Sequence, residues 1–199
     1  MSDHDQLRKE LEVLRVYIRE VCGGEDASKI LKTAEIAHTG QTRRSGEPYI
    51  EHPIAVANII KKYYPGDQLL CTAALLHDTL EDAIRYGNFK DEDELIDTIK
   101  ASYHSPAEGK EVLTLLYMLT HTPGGDYTNY VVSLSDNIGA LRIKMADMLH
   151  NLSSAPHAKQ ATKYQNALMA LSDKFGGIPP GINISHWNDI QDIVSEFSD

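Results

Sequence analysis

Chemistry is concentrated in one short stretch, Ala74-Leu75-Leu76-His77-Asp78-Thr79-Leu80-Glu81-Asp82-Ala83, where four ionisable or metal-binding side chains fall within six residues of an otherwise apolar run. Charged groups are rarely buried unless they are paired, hydrogen-bonded or bound to metal. On a helix turning about 100° per residue, His77, Asp78, Glu81 and Asp82 share an arc of roughly 140°, and Leu76, Leu80 and Ala83 lie on the other side. His77 and Asp78 offer an imidazole nitrogen and a carboxylate oxygen, a pairing suited to borderline or hard divalent metals. One turn on, Glu81 and Asp82 are placed to orient a water or move a proton beside such an ion.

Two adjacent ligands do not make a site, and the chain offers two partners. His52 opens a helix directly before Pro53. Asp147 lies in Lys144-Met145-Ala146-Asp147-Met148-Leu149-His150-Asn151, where Lys144, Asp147 and Asn151 fall within about 60° of one another on a helix. His52, His77, Asp78 and Asp147 together supply both nitrogen and oxygen donors and leave positions open for water and a phosphate oxygen. Each residue also has a plainer reading. A His-Asp dipeptide is common, Glu81 and Asp82 fit a solvated helix end before Gly87 and Asn88, and Arg43-Arg44 fits a solvated loop pair. Asp147 fits an ordinary ion pair with Lys144, worth a few tenths of a kcal/mol. His38, His150 and His157 read as packing or surface residues rather than ligands.

The elements that must position these residues are helical almost throughout. Apolar spacing follows the helical period, with no convincing strand alternation, so an all-α bundle of roughly eight to ten helices is expected. Leu7, Leu11, Leu14, Ile18 and Val21 form a stripe over about 4–22 that could serve a core or an interface between copies of the chain, and Gly23-Gly24 stops it. Further helices are expected over about 27–39, from His52-Pro53 onward, and over about 67–83. Acidic Asp91-Glu92-Asp93-Glu94 suits a helix start, and Ser105-Pro106 reads as an N-cap followed by a first-turn proline. Helices over about 127–135, 138–154 and 157–174 follow. Residues 176–199 could dock as a helix or remain a loosely held tail.

The 199 residues suit a single domain, 42% hydrophobic and 24% charged. No apolar run suggests a membrane span or leader, so a cytoplasmic protein without membrane contact is expected. Cys22 and Cys71 form no CxxC pair, which argues against a thiolate metal site. The formal charge of −10 disfavours broad binding to nucleic acid. An anionic ligand would need a local cluster of cations or a metal.

In three blocks the chain resembles the hydrolase domain of the RelA/SpoT homologue enzymes, members of the HD superfamily, and most of all the stand-alone small alarmone hydrolases, including the animal SpoT homologue. The blocks are Ala37-His38-Thr39-Gly40-Gln41-Thr42-Arg43-Arg44-Ser45-Gly46-Glu47-Pro48-Tyr49-Ile50-Glu51-His52-Pro53, then Ala73 to Asp82, then Lys144 to Leu152, within about residues 30–155. The resemblance implies an HD helical fold and a Mn²⁺-dependent removal of the 3′-pyrophosphate of guanosine tetra- or pentaphosphate, giving GDP or GTP. It implies metal ligands at His52, His77, Asp78 and Asp147 and a water activated by Glu81 and Asp82. It further implies stacking of the base on Arg43 and nucleotide contacts from Arg44, Ser45, Lys144 and Asn151. A guanidinium plane suits a purine face better than a lysine would. The chain is too short for the synthetase and regulatory parts of the long enzymes, so it is expected to degrade alarmone without making it. His121 to Tyr130 departs from the pattern of the long enzymes and the tail after about Asn166 has no counterpart in them, which leaves adenosine alarmones and NADPH as alternative substrates; a broader nucleotide phosphohydrolase and a non-catalytic nucleotide-binding protein are the other readings.

Overall fold

The computed structural model describes residues 24–121, 124–154 and 157–197, with positions 9, 12, 13 and 16. The expected N-terminal helix lies outside the described residues apart from Lys9, Glu12, Val13 and Val16, which are helical and exposed. The described elements are α1 (Gly24–Ala37), α2 (Glu51–Tyr63), α3 (Gln68–Leu76), α4 (Thr79–Asp82), α5 (Glu92–Ala101), α6 (Pro106–Leu119), α7 (Tyr127–Ser133), a 3₁₀ turn (Leu134–Asp136), α8 (Ile138–Ser153), α9 (Ala158–Phe175) and α10 (Ile184–Ser195). An isolated bridge between Thr42 and Pro48 is the only extended pairing among the described residues. It pinches the 41–49 loop into a hairpin.

Short polar side chains set the helix starts. Asp67, Asp91, Ser105, Asp126, Asn137 and Asn183 each accept a backbone N–H from the first turn of the helix that follows. Each thereby satisfies a donor that the helix itself cannot pair. At the other end of α9, Gly176 stops the helix at φ 69°, in the left-handed region that glycine enters without penalty.

The core is organised around α3 and α8. Every residue from Leu70 to Leu76 is buried, and a helix apolar all round belongs in the middle of a bundle. It packs on α1, α2, α6 and α8, while α8 in turn packs on α2, α6 and α10. The tail is docked. His186, Trp187, Ile190 and Val194 of α10 are buried, Asn183 Nδ2 donates to the Tyr63 carbonyl at 3.1 Å, and Arg142 Nη2 donates to the Gly181 carbonyl at 2.7 Å.

The continuous helix expected over about 67–83 does not form. α3 ends at Leu76, Asp78 sits at φ −99° and ψ 0°, and α4 is a separate single turn. Buried Thr79 turns its hydroxyl back to the Leu76 carbonyl at 2.7 Å, so a side chain takes an acceptor of the backbone ladder there. His77 and Asp78 therefore lie at a junction, not on a regular helical face. Among the described residues no helix is long and apolar enough to cross a membrane.

Replacing Trp187 by Ala is expected to lower unfolding free energy by about 3–5 kcal/mol, because a buried aromatic would leave a cavity beneath α10. Urea unfolding measures this, and a loss below about 1 kcal/mol would mean that α10 contributes little to the core.

Candidate metal centre and its cavity

Three elements bring the donor atoms together. His52 lies in the first turn of α2, His77 and Asp78 at the junction after α3, and Asp147 in the middle of α8. His52 Nε2 is 3.5 Å from Asp78 Oδ2 and 3.1 Å from Asp147 Oδ1, and His77 Nε2 is 3.1 Å and 3.9 Å from the same two atoms. One donor atom from each of His52, His77 and Asp78 lies within 4.8 Å of the others, close enough for the three to hold one metal ion. Asp147 stands outside that group of three, with its Oδ1 within 3.9 Å of both imidazole Nε2 atoms.

The other ring nitrogens are held elsewhere, and the cluster-facing carboxylate oxygens also accept from protein donors. His77 Nδ1 lies 2.9 Å from the Ala74 carbonyl, which can only accept, so Nδ1 carries hydrogen and the neutral ring keeps its lone pair on Nε2. That Nε2 is buried and makes no hydrogen bond to any described residue. His52 Nδ1 lies 2.7 Å from His150 Nδ1. Burial, then His52 and Arg43, pull the His150 pKa down to about 3, so His150 is neutral and can accept from His52. His52 Nε2 is then free to face the cluster. Asp147 Oδ2 takes the Lys144 ammonium at 2.7 Å, and Asn151 Nδ2 donates to Asp147 Oδ1 at 2.5 Å. Tyr49 donates its hydroxyl to Asp78 Oδ2 at 2.6 Å.

Burial works against every charge here, yet the partners win. Burial raises the Asp78 carboxyl, but His77 and His52 outweigh it and hold the group well below the usual range. Asp147 is likewise pushed up by burial and pulled well below its ordinary value by Lys144 and His52. Lys144 stays charged because Asp147 outweighs its burial. His77 is lowered by burial but raised more by Asp78 and Asp147, to about 9. Without a metal, a proton supplies the positive charge that these carboxylates require. With that proton gone, the buried His77 Nε2 lone pair has no donor to accept from, and the two imidazoles and two carboxylates form a donor set that fits a divalent ion in its place.

The cluster forms the floor of a cavity of about 1020 Å³. Of the residues singled out in sequence, Arg43, Arg44, Ser45, His52, Asp78, Asp82, Lys144, Asp147 and Asn151 line it. His77 stands behind Asp78, and Glu81 is drawn to the side, where its carboxylate accepts the His121 backbone N–H at 2.7 Å. Burial, followed by the nearby Asp78, raises the Glu81 pKa. Asp82 is held by Gln41, whose Nε2 donates to Oδ2 at 2.7 Å. Arg43 spans the mouth, donating to Asn151 Oδ1 at 3.3 Å and Ser154 Oγ at 3.2 Å.

Several lining residues were not singled out. Tyr49 belongs to the 41–49 loop, Arg85 follows α4, and Lys159 and Lys163 stand four apart on α9. That spacing in a helix following the Asp147 helix is a signal that could have found the two lysines. Tyr127 and Tyr164 make an aromatic wall, with ring centroids 5.7 Å apart and Lys163 Nζ 4.1 Å from the centre of the Tyr127 ring. His150, read as packing or surface, touches His52, and His157 both lines the cavity and caps α9.

Comparison with known proteins agrees with this geometry. Residues 31–122 match the family model described as HD domain. The guanosine-3′,5′-bis(diphosphate) 3′-pyrophosphohydrolase of Haemophilus influenzae is 36% identical over 121 residues, covering 60% of this chain and 17% of the relative. The bifunctional (p)ppGpp synthase/hydrolase RelA of Mycobacterium tuberculosis is 32% identical over 168 residues, covering 81% of this chain and 22% of the relative. A chloroplastic protein of Arabidopsis thaliana named as the GTP diphosphokinase RSH1 is 33% identical over 142 residues, covering 67% of this chain and 16% of the relative. The chain thus spans only about a fifth of the length of these relatives. Residues 31–122, which carry His52, His77 and Asp78 within this all-α chain, match the HD domain model and make up an HD domain related to RelA/SpoT hydrolase domains.

Proposed function

We propose that this domain removes the 3′-pyrophosphate from guanosine tetra- or pentaphosphate, giving GDP or GTP and pyrophosphate, with Mn²⁺ as its cofactor. The observation that carries the reading is the charge contrast inside one cavity. The cavity that holds His52, Asp78 and Asp147, with Lys144 paired to Asp147, is also lined by Arg43, Arg44, Arg85, Lys159 and Lys163. In a chain of formal charge −10, that local gathering of cations suits a polyanionic ligand. The name of the Haemophilus influenzae relative supports the choice of substrate.

A bound divalent ion would polarise the phosphoryl oxygen and lower the pKa of a water beside it. His52, His77, Asp78 and Asp147 would hold that ion. Asp82, its carboxylate oriented by Gln41, would align the attacking water, and Glu81, its pKa raised by burial, would exchange protons at the edge of the site. Arg43 would stack on the base, with Arg44, Ser45 and Asn151 beside the nucleotide, and Lys144 would offset charge on the phosphate chain. Stacking does not distinguish one purine from another, so adenosine tetraphosphate belongs in the same assay.

Metal affinity is expected to rise with pH. Below about pH 9 an incoming ion must displace the His77 proton, so apparent affinity should climb by up to about tenfold per pH unit and flatten above that value. Calorimetric titration measures this, and a pH-independent affinity would contradict it. Asp78→Ala should abolish binding while keeping the helical far-UV signal.

Incubation with guanosine tetraphosphate and Mn²⁺ should release pyrophosphate. Orthophosphate as product would instead indicate a broader phosphohydrolase, and tight binding without product a nucleotide-binding protein. Arg43→Ala is expected to raise KM about tenfold with kcat changed less than about threefold. An unchanged KM would remove Arg43 from the substrate site.

A further inference from the structure

His38 closes the turn after α1 and is buried, yet it neither lines the cavity nor belongs to the donor cluster. Two contacts nonetheless lead from it to site carboxylates. Its Nδ1 lies 2.9 Å from Gln41 Oε1, and the other end of that amide, Nε2, donates to Asp82 Oδ2 at 2.7 Å. Its ring lies against Tyr49, with centroids 5.0 Å apart, and the Tyr49 hydroxyl donates to Asp78 Oδ2 at 2.6 Å. Backbone bonds tie the same residues together, from Gln41 N–H to the His38 carbonyl at 3.2 Å and from Tyr49 N–H to the Gln41 carbonyl at 2.9 Å.

The two ends of a carboxamide have opposite polarity, so its orientation decides what Asp82 meets. With Oε1 toward His38 the amide presents N–H to the carboxylate. Turned over, it would set an acceptor against the Asp82 carboxylate and require His38 to take the other tautomer and accept at Nδ1. Burial lowers the His38 pKa and favours a neutral ring, and the contact with Gln41 Oε1, which can only accept, places its hydrogen on Nδ1. We propose that His38 is a positioning residue, fixing Asp82 through the Gln41 amide and supporting Asp78 through the Tyr49 ring. Its effect on turnover rests on the roles given to Asp82 and Asp78 above. Its control of Gln41 does not.

Three variants separate the contacts. His38→Phe keeps a ring against Tyr49 and loses the donor, His38→Asn keeps a donor near the Nδ1 position and loses the ring, and Gln41→Ala removes the relay. The Gln41 side-chain amide is followed by ¹⁵N-edited NMR, assigned by its loss in Gln41→Ala, and kcat and KM are measured on guanosine tetraphosphate. In His38→Phe the amide signal should move to that of a solvated glutamine and kcat should fall about 10- to 100-fold, with KM within about twofold. His38→Asn should keep the amide signal and recover kcat only in part, the remaining loss reporting the missing ring against Tyr49, and His38→Phe with Gln41→Ala should be no slower than Gln41→Ala alone. An unchanged Gln41 signal in His38→Phe, or its loss in a folded His38→Asn, overturns the proposal. If the wild-type protein leaves the nucleotide intact, the proposed function fails, and the NMR result still decides the role of His38.

Discussion

The site depends on the burial of ionisable groups side by side at the end of an apolar helix. Unpaired, each such charge would cost several kcal/mol in a bundle core. The chain satisfies one side of every group with protein: the Ala74 carbonyl and His150 for the two imidazoles, Tyr49 for Asp78, and Lys144 and Asn151 for Asp147. The two imidazole Nε2 atoms converge with Asp78 Oδ2 and Asp147 Oδ1, which also accept from Tyr49 and Asn151, on one space where a cation completes the balance of charge. A proton can do so at His77, and a divalent ion would do so for the whole cluster.

Construction of the site explains the layout of the fold. α3 is apolar throughout because it lies between α1, α2, α6 and α8, and its end delivers His77 and Asp78 to the centre of the bundle. Breaking the helix there, with Thr79 taking the Leu76 carbonyl, frees both side chains from regular helical directions. The 41–49 hairpin forms a second layer that holds Asp78 and Asp82 and reaches across the mouth through Arg43. α9 closes the cavity with Lys159, Lys163 and Tyr164.

Much of this was legible in the residues. Helix starts could be read because caps are local chemistry, as at Asp91 and Ser105-Pro106, and the grouping of Lys144, Asp147 and Asn151 followed from a spacing that α8 preserves. The break before Thr79 was not legible, because apolar spacing continues through it and a threonine hydroxyl can bond backward within a helix as well as interrupt one. Glu81 was grouped with Asp82 by spacing, but the separate turn carries it to the His121 backbone. His150 was read as packing or surface because its partner is 98 residues away. Tyr127 and Lys163 meet only through tertiary packing, which no local pattern records.

The most direct test of the central claim, that one ion completes the cluster, is a crystal structure grown with Mn²⁺ and read by anomalous scattering. The account predicts a single strong peak about 2.2 Å from His52 Nε2, His77 Nε2, Asp78 Oδ2 and Asp147 Oδ1. No peak between these atoms at saturating Mn²⁺, or one held by other residues, would contradict it.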